Sequence, residues 1–282
     1  METFASGWKR NYYGKGDVTA YRLDRNGNIP DGRNPVFGAN VLLLVYGDAF
    51  WPTYTTGDNS DLVATDSMKN FIQRETLNFA GYDLEAYCRF LADRFMARYP
   101  QVEGARVSAS EVPYQRLAGS RAFVPSGPER ATARVEIGPD GIVEAISGIT
   151  GFKLLRLDGS AFHGFVRDEY TTLPDLYDRP LHMWLDLEWQ YADAEKAFNN
   201  GAAVARAREV VFQVFKTFES GSIQQVIYQI GTAVLKDFDE IAEIHLEANN
   251  RTWDTIAENE DLGVYTDARP PYGCLGLTLR RA

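Results

Sequence analysis

The sequence predicts an α+β fold built as two related halves, and three observations predict it. The order strand, strand, helix, helix, strand, strand can be read twice along the 282 residues. The turn signal Pro139-Asp140-Gly141 falls between the two readings. Apolar residues make up 45% of the chain and charged residues 24%, a composition that supports a large core and argues against disorder. The halves are expected at 1–140 and 141–282, each an antiparallel sheet with helices on one face. Such sheets have exposed edges, and closure through oligomerisation is one way to remove them.

In the first half, strands are expected at Asp17 to Leu23 and Val36 to Val45, joined by a long loop rich in turn residues, Asn26 to Gly32. Helices follow at Leu62 to Arg74 and from Leu84 onward. In the second of these, Leu84, Tyr87, Cys88, Leu91 and Phe95 recur at steps of three and four, Asp83 caps the start and Pro100 bars continuation. Two more strands are expected at Arg106 to Pro113 and Ala131 to Ile137, the last alternating Ala133, Val135 and Ile137 with charged neighbours. In the second half, strands are expected at Ile142 to Ile149, Phe152 to Leu157 and Leu181 to Trp189. Helices are expected at Val204 to Phe218 and at Ser222 to Phe238 with Ser222 as cap. Strands near Ile241 to Glu247 and Cys274 to Arg280 close the pattern.

A net charge of −10 repels phosphate backbones and anionic membrane surfaces, so nucleic acid and lipid headgroups are excluded as expected partners. Any anionic ligand must be held by a local cation. The two cysteines, Cys88 and Cys274, lack the spacing of a disulfide framework or a metal site. No apolar leader opens the chain and no run of about 18 uncharged apolar residues occurs, so it reads as a soluble cytoplasmic protein. The three histidines, His163, His182 and His245, show no paired ligand spacing. No GxSxG elbow or Rossmann fingerprint appears.

Four stretches carry possible chemistry, each with a plainer reading. Thr65-Asp66 opens a helix, where such residues ordinarily cap; the same place exposes amides that bind an anion or a polarised carbonyl. Lys15 lies between Gly14 and Gly16, a solvated turn or a close backbone approach to a ligand. In residues 162–180, Phe162 and Phe165 offer an aromatic face and Arg179 a planar two-pronged donor, enough to stack and clamp a flat anionic heterocycle; otherwise the segment is a charged loop. Gln224 and Gln225 open a helix as surface residues, or pair an amide with a ligand's edge.

Together with EANNRTWD at 247–254 and PPYG at 270–273, the stretches YGKGDV, YTTGDNSDLVATDSMKN, FHGFVRDEYTTLPDLYDRP and SIQQVIYQIG resemble the urate oxidase (uricase) family, in the same order and across nearly the whole chain. The resemblance implies two tandem T-fold domains, with barrels closed in a homotetramer and active sites between subunits. It implies oxidation of urate by O2 without cofactor or metal. Carried over by motif, Lys15 and Thr65 form a proton-relay dyad, Asp66 offers its backbone amide, Phe162 stacks on the purine, Leu173 is a wall and Arg179 the clamp. Ile223 supplies a backbone amide and Gln224 a side-chain amide, while Asn249 or Asn250 faces O2. One position departs from the family: Arg251 stands where a histidine is common. An arginine cannot accept a proton, so the expected role of Arg251 is to lower the pKa of Lys15 by like-charge proximity, with Thr252 carrying a hydroxyl relay. The competing readings are a purine-binding homologue without catalysis and a zinc-dependent T-fold enzyme acting on pterins, the latter poorly matched by scattered histidines.

Overall fold

The computed structural model describes residues 11–25, 34–199, 201–251, 253–267 and 270–281. The turn-rich segment 26–33 and the hydroxyl of Thr252 lie outside them. Strands β1 (Tyr12–Leu23) and β2 (Val36–Tyr46) lead to a short helix α1 (Trp51–Thr55), then α2 (Thr65–Glu75) and α3 (Leu84–Arg98). Strand β3 (Gly104–Glu111), a small hairpin of β4 (Tyr114–Arg116) and β5 (Phe123–Pro125), β6 (Arg130–Gly138) and the long β7 (Gly141–Arg156) follow. After β8 (Leu181–Tyr191) come α4 (Ala203–Thr217), α5 (Ile223–Asp237), β9 (Ile241–Asn250), a hairpin of β10 (Thr255–Glu258) and β11 (Gly263–Tyr265), and β12 (Gly273–Arg280). The fold is α+β, and among the described residues no helix is long and apolar enough to cross a membrane.

The chain forms two compact units, one reaching to Ser147 and taking in Asp193–Gly201, the other comprising Gly148–Ala192 and the residues from Ala202 onward. In the first unit the sheet runs β1-β2-β3-β6-β7. The inward set of β2, Phe37, Ala39, Val41, Leu43 and Val45, is buried, because a period-2 apolar pattern puts these side chains on one face. Met68 and Ile72 of α2 and Tyr87, Leu91 and Phe95 of α3 are buried too, with the Tyr87 ring 5.1 Å from that of Phe37. Helix α3 ends where the sequence predicts, with Tyr99 as C-cap before Pro100. Residues 193–201 join this unit through Arg89 of α3, which donates to Glu195 at 2.6 Å and lies 4.7 Å from the Phe198 ring.

In the second unit the order is β7-β8-β9-β12. Leu181, Met183, Leu185, Leu187 and Trp189 of β8 are buried on one face, as their alternation predicts, with Ile244, Leu246 and Ala248 of β9. Helices α4 and α5 contribute Val211, Phe215, Ile227 and Ile230 to the same core. The two strands expected between 142 and 157 are one strand. Within it Gly151 sits at φ 83 and its N–H donates to the Asp186 carboxylate at 2.6 Å, so a side chain meets the backbone where the sequence shows a break.

Candidate functional site

In the second unit, Arg156 at the end of β7 organises the approach to a cavity. Its guanidinium donates to the carbonyls of Phe215 and Phe218 at the end of α4 and to that of Gly159. A cation at a helix C-terminus satisfies carbonyls that the helix leaves unpaired. The loop held there continues as extended backbone: Ala161 donates to the Ser220 carbonyl at 2.7 Å, and Phe162 exchanges hydrogen bonds with Leu176 at 2.7 and 2.9 Å. Phe162 is thus fixed at its backbone, and Phe165 stacks on its ring at 5.1 Å and 14°.

Arg179 has its guanidinium carbon 5.8 Å from the centre of the Phe162 ring. Its Nε is buried with no hydrogen-bond partner among the described residues, and burial lowers its pKa from the usual arginine value. It remains a cation, since guanidinium starts so high. A buried, underused planar donor beside an aromatic face is the arrangement that a flat anion completes.

Helix α5 points its start at the same space. The Gln225 N–H donates to the Ser222 hydroxyl at 3.2 Å and the Gln225 side chain accepts from Gly221 N–H, one residue before the cap, at 2.8 Å, a Ser-x-x-Gln cap whose return bond falls one residue early. Gln225 is committed to the cap, which leaves Gln224 as the free amide. The N–H groups of Ile223 and Gln224, first and second in the helix, have no place in its own ladder. Asn250 ends β9 on the face of Leu246 and Ala248, whereas Asn249 lies on the opposite face and accepts from Arg251 at 3.4 Å. These groups line one cavity of about 500 Å³: Phe162, Leu173, Arg179, Ile223, Gln224, Asn250 and Arg251 all face it, and Asn249 does not.

Arg251 is 9% exposed. Its guanidinium is held between the rings of Trp184 and Tyr272, 3.8 Å from each centre, a doubly stacked cation with little freedom to move.

Lys15, Thr65 and Asp66 lie in the first unit. Opposite Leu43 on β2, the β1 strand leaves register between Lys15 and Val18, with Asp17 at φ 57. The Asn40 amide pins this bulge by donating to Asp17 at 2.7 Å and to Thr19 at 2.9 Å. The irregularity follows directly on Lys15, the last residue paired before it. Two residues earlier the Tyr13 hydroxyl accepts from Val63 N–H at 2.9 Å, and burial pushes that phenol up to about 12. The tie holds β1 against the chain entering α2. Thr65 is not the cap that the sequence suggests. Ala64 occupies the N-cap with no side-chain hydrogen bond, and Thr65 is the first helical residue. The Asp66 carboxylate turns to Lys69 and Asn70, and its pKa is lowered by Lys69 first and also by Lys15. The amides of the first turn are left open and the Thr65 hydroxyl is exposed.

Gly14 makes this placement possible. A Cβ there would lie 1.9 Å from the Leu43 carbonyl oxygen. Gly14→Ala is expected to force β1 from β2, costing about 1–3 kcal/mol as overpacked sites do and shifting Lys15. Chemical denaturation and steady-state rates check it; wild-type stability and rate would show that the strand tolerates the methyl.

Sequence reasoning missed His182 and Trp253, which also line the cavity; a histidine without paired ligand spacing gave no signal. It missed the β4–β5 and β10–β11 hairpins too, whose strands of three or four residues are too short to show a period.

The family model described as Uricase matches residues 48–136 and 145–275. The chain is 39% identical over 93% of its length to the uric acid degradation bifunctional protein of Bacillus sp. (strain TB-90), covering 58% of that protein. It is 36% identical over 92% of its length to the uricase of Haloferax volcanii, covering 94% of it. It spans about three fifths of the length of the two bifunctional relatives, from Bacillus sp. and Bacillus subtilis. Among solved structures it is similar to a uricase from Bacillus fastidious, with a TM-score of 0.88, 35% identity, and coverage of 97% of this chain and 94% of that one.

Proposed function

The chain belongs to the uricase family, and from that premise we propose that it oxidises urate: urate, O2 and water give 5-hydroxyisourate and hydrogen peroxide. The observation that carries the reading is the cavity of the second unit. It gathers an aromatic plane (Phe162), an underused planar cation (Arg179), a free amide (Gln224) and two open helix-start amides around about 500 Å³.

In this reading the purine anion lies on Phe162 with Leu173 as a wall. Arg179 clamps a carbonyl and a ring nitrogen, and Gln224 with the Ile223 amide holds the pyrimidine edge. Asn250 takes the O2-facing role in preference to Asn249, because Asn250 lines the cavity. Lys15 and Thr65 take a proton from urate, and Asp66 presents its amide. The purine dianion supplies two electrons to O2, water adds to the oxidised ring, and peroxide leaves. The protein supplies orientation and fixed charge.

The dyad and the clamp lie in different units of one chain, and the proposal has them meet between chains of a homotetramer built from tandem T-fold domains at 1–140 and 141–282. Edge strands β1 and β12 each pair on one side, and Tyr12, Leu23, Ile256 and Val264 are exposed; association covers such edges. The composition and net charge support a soluble, cytoplasmic enzyme.

Purified protein mixed with urate in air tests the function. Loss of urate absorbance with equal O2 uptake and peroxide release is expected. Urate binding without O2 uptake would leave a purine-binding protein instead.

A further inference from the structure

His182, near the start of β8, lines the cavity beside Arg179 and Asn250, and nothing in the reaction as described uses it. Its carbonyl accepts from the Arg251 N–H at 3.0 Å, where β9 ends. Its ring lies 5.2 Å from that of Trp253. Its Nδ1 is buried with no hydrogen-bond partner among the described residues. Buried polar atoms are ordinarily paired, so an orphan at a cavity wall asks for a ligand or a water. Arg251 cannot serve as a base there, being a stacked and permanent cation.

We propose that His182 is a second proton acceptor of this site, an imidazole whose unpartnered Nδ1 takes a proton from substrate or from attacking water. The proposal rests on the urate-oxidising reading. The charged groups facing the ring come from each element near it: Lys153 on β7, Arg251 after β9 and Asp267 before β12, with Asp178, Arg179 and Glu258 elsewhere on the cavity wall. Burial is the largest influence and lowers the His182 pKa; Lys153 and Arg251 lower it further, and Asp267 opposes them. A lowered pKa keeps the imidazole neutral at neutral pH, and protonation as pH falls through it removes the acceptor. The acid limb of the rate profile therefore reports His182.

The test compares pH profiles of kcat/KM for urate, with xanthine as the binding probe. The wild type must first turn over urate; failure there sinks the function and leaves the histidine unaddressed by default, so the His182 ring is also titrated by NMR with and without xanthine. His182→Gln is expected to lower kcat/KM about tenfold near neutral pH, below the full effect of a positioned acid or base because Lys15 and Thr65 remain. It should erase one protonation step from the acid limb and leave xanthine binding within about twofold. Lys153→Met, which removes a cation, should move the limb to higher pH, and Asp267→Asn should move it to lower pH. Opposite shifts from two residues off the cavity wall are not what a purely structural histidine produces. An unchanged profile in all three variants, or a His182 resonance that ignores both pH and xanthine, overturns the proposal.

Discussion

Arg179→Ala is expected to weaken xanthine binding about 100-fold, because truncating one member of a desolvated charge pair costs about 2–5 kcal/mol. The reason lies in the burial of the guanidinium. Its Nε has no partner among the described residues, so the bound anion supplies what the protein withholds, and the alanine variant leaves a desolvated anion without its planar cationic partner. Arg179→Lys keeps the charge but loses the two-pronged plane, and recovers only part of the affinity. Calorimetric titration of the folded variants with xanthine measures both. A Kd for the alanine variant within about threefold of wild type would show that the clamp is elsewhere.

Lys15→Met should show the reverse pattern. The thioether matches the length of the lysine stem without its amine, so kcat for urate is expected to fall by about 10²–10⁴, the range for loss of a positioned proton-transfer group. Xanthine affinity should change little, since in this reading the purine is held by Phe162, Arg179, Gln224 and the Ile223 amide, which line the cavity. The bulge at Asp17 and the Asn40 hydrogen bonds that pin it remain in the variant, so a loss of rate belongs to the amine. Single-turnover kinetics with a matched binding titration separates the two effects. Turnover at the wild-type rate would remove Lys15 from the chemistry.

Much of the site was legible as residues but not as an arrangement. The motif at 162–180 pointed to Phe162 and Arg179, and the structure puts the arginine over that ring. Gln224 and Gln225 were indistinguishable as letters, and the cap separates them because it is the residue three after Ser222 that meets the Ser222 hydroxyl and the Gly221 N–H. Asn249 and Asn250 stayed equivalent until strand parity sent them to opposite faces. Thr65 and Asp66 looked like caps because their residue types favour helix starts. The helix instead begins at Thr65 after Ala64, so both lie inside it, and the Asp66 carboxylate turns to Lys69 and Asn70 one turn on.

The sequence by itself determined the α+β class, the order of the long elements, the faces they bury and the family, because periodicity, turn chemistry and extended motifs are properties of neighbouring residues. Tertiary structure alone decided which asparagine lines the cavity, that Arg251 is locked between Trp184 and Tyr272, and that the Nδ1 of His182 is buried with no hydrogen-bond partner among the described residues. Those depend on desolvation and on contacts between residues far apart in the chain, and such energies exist only once distant segments exclude water together.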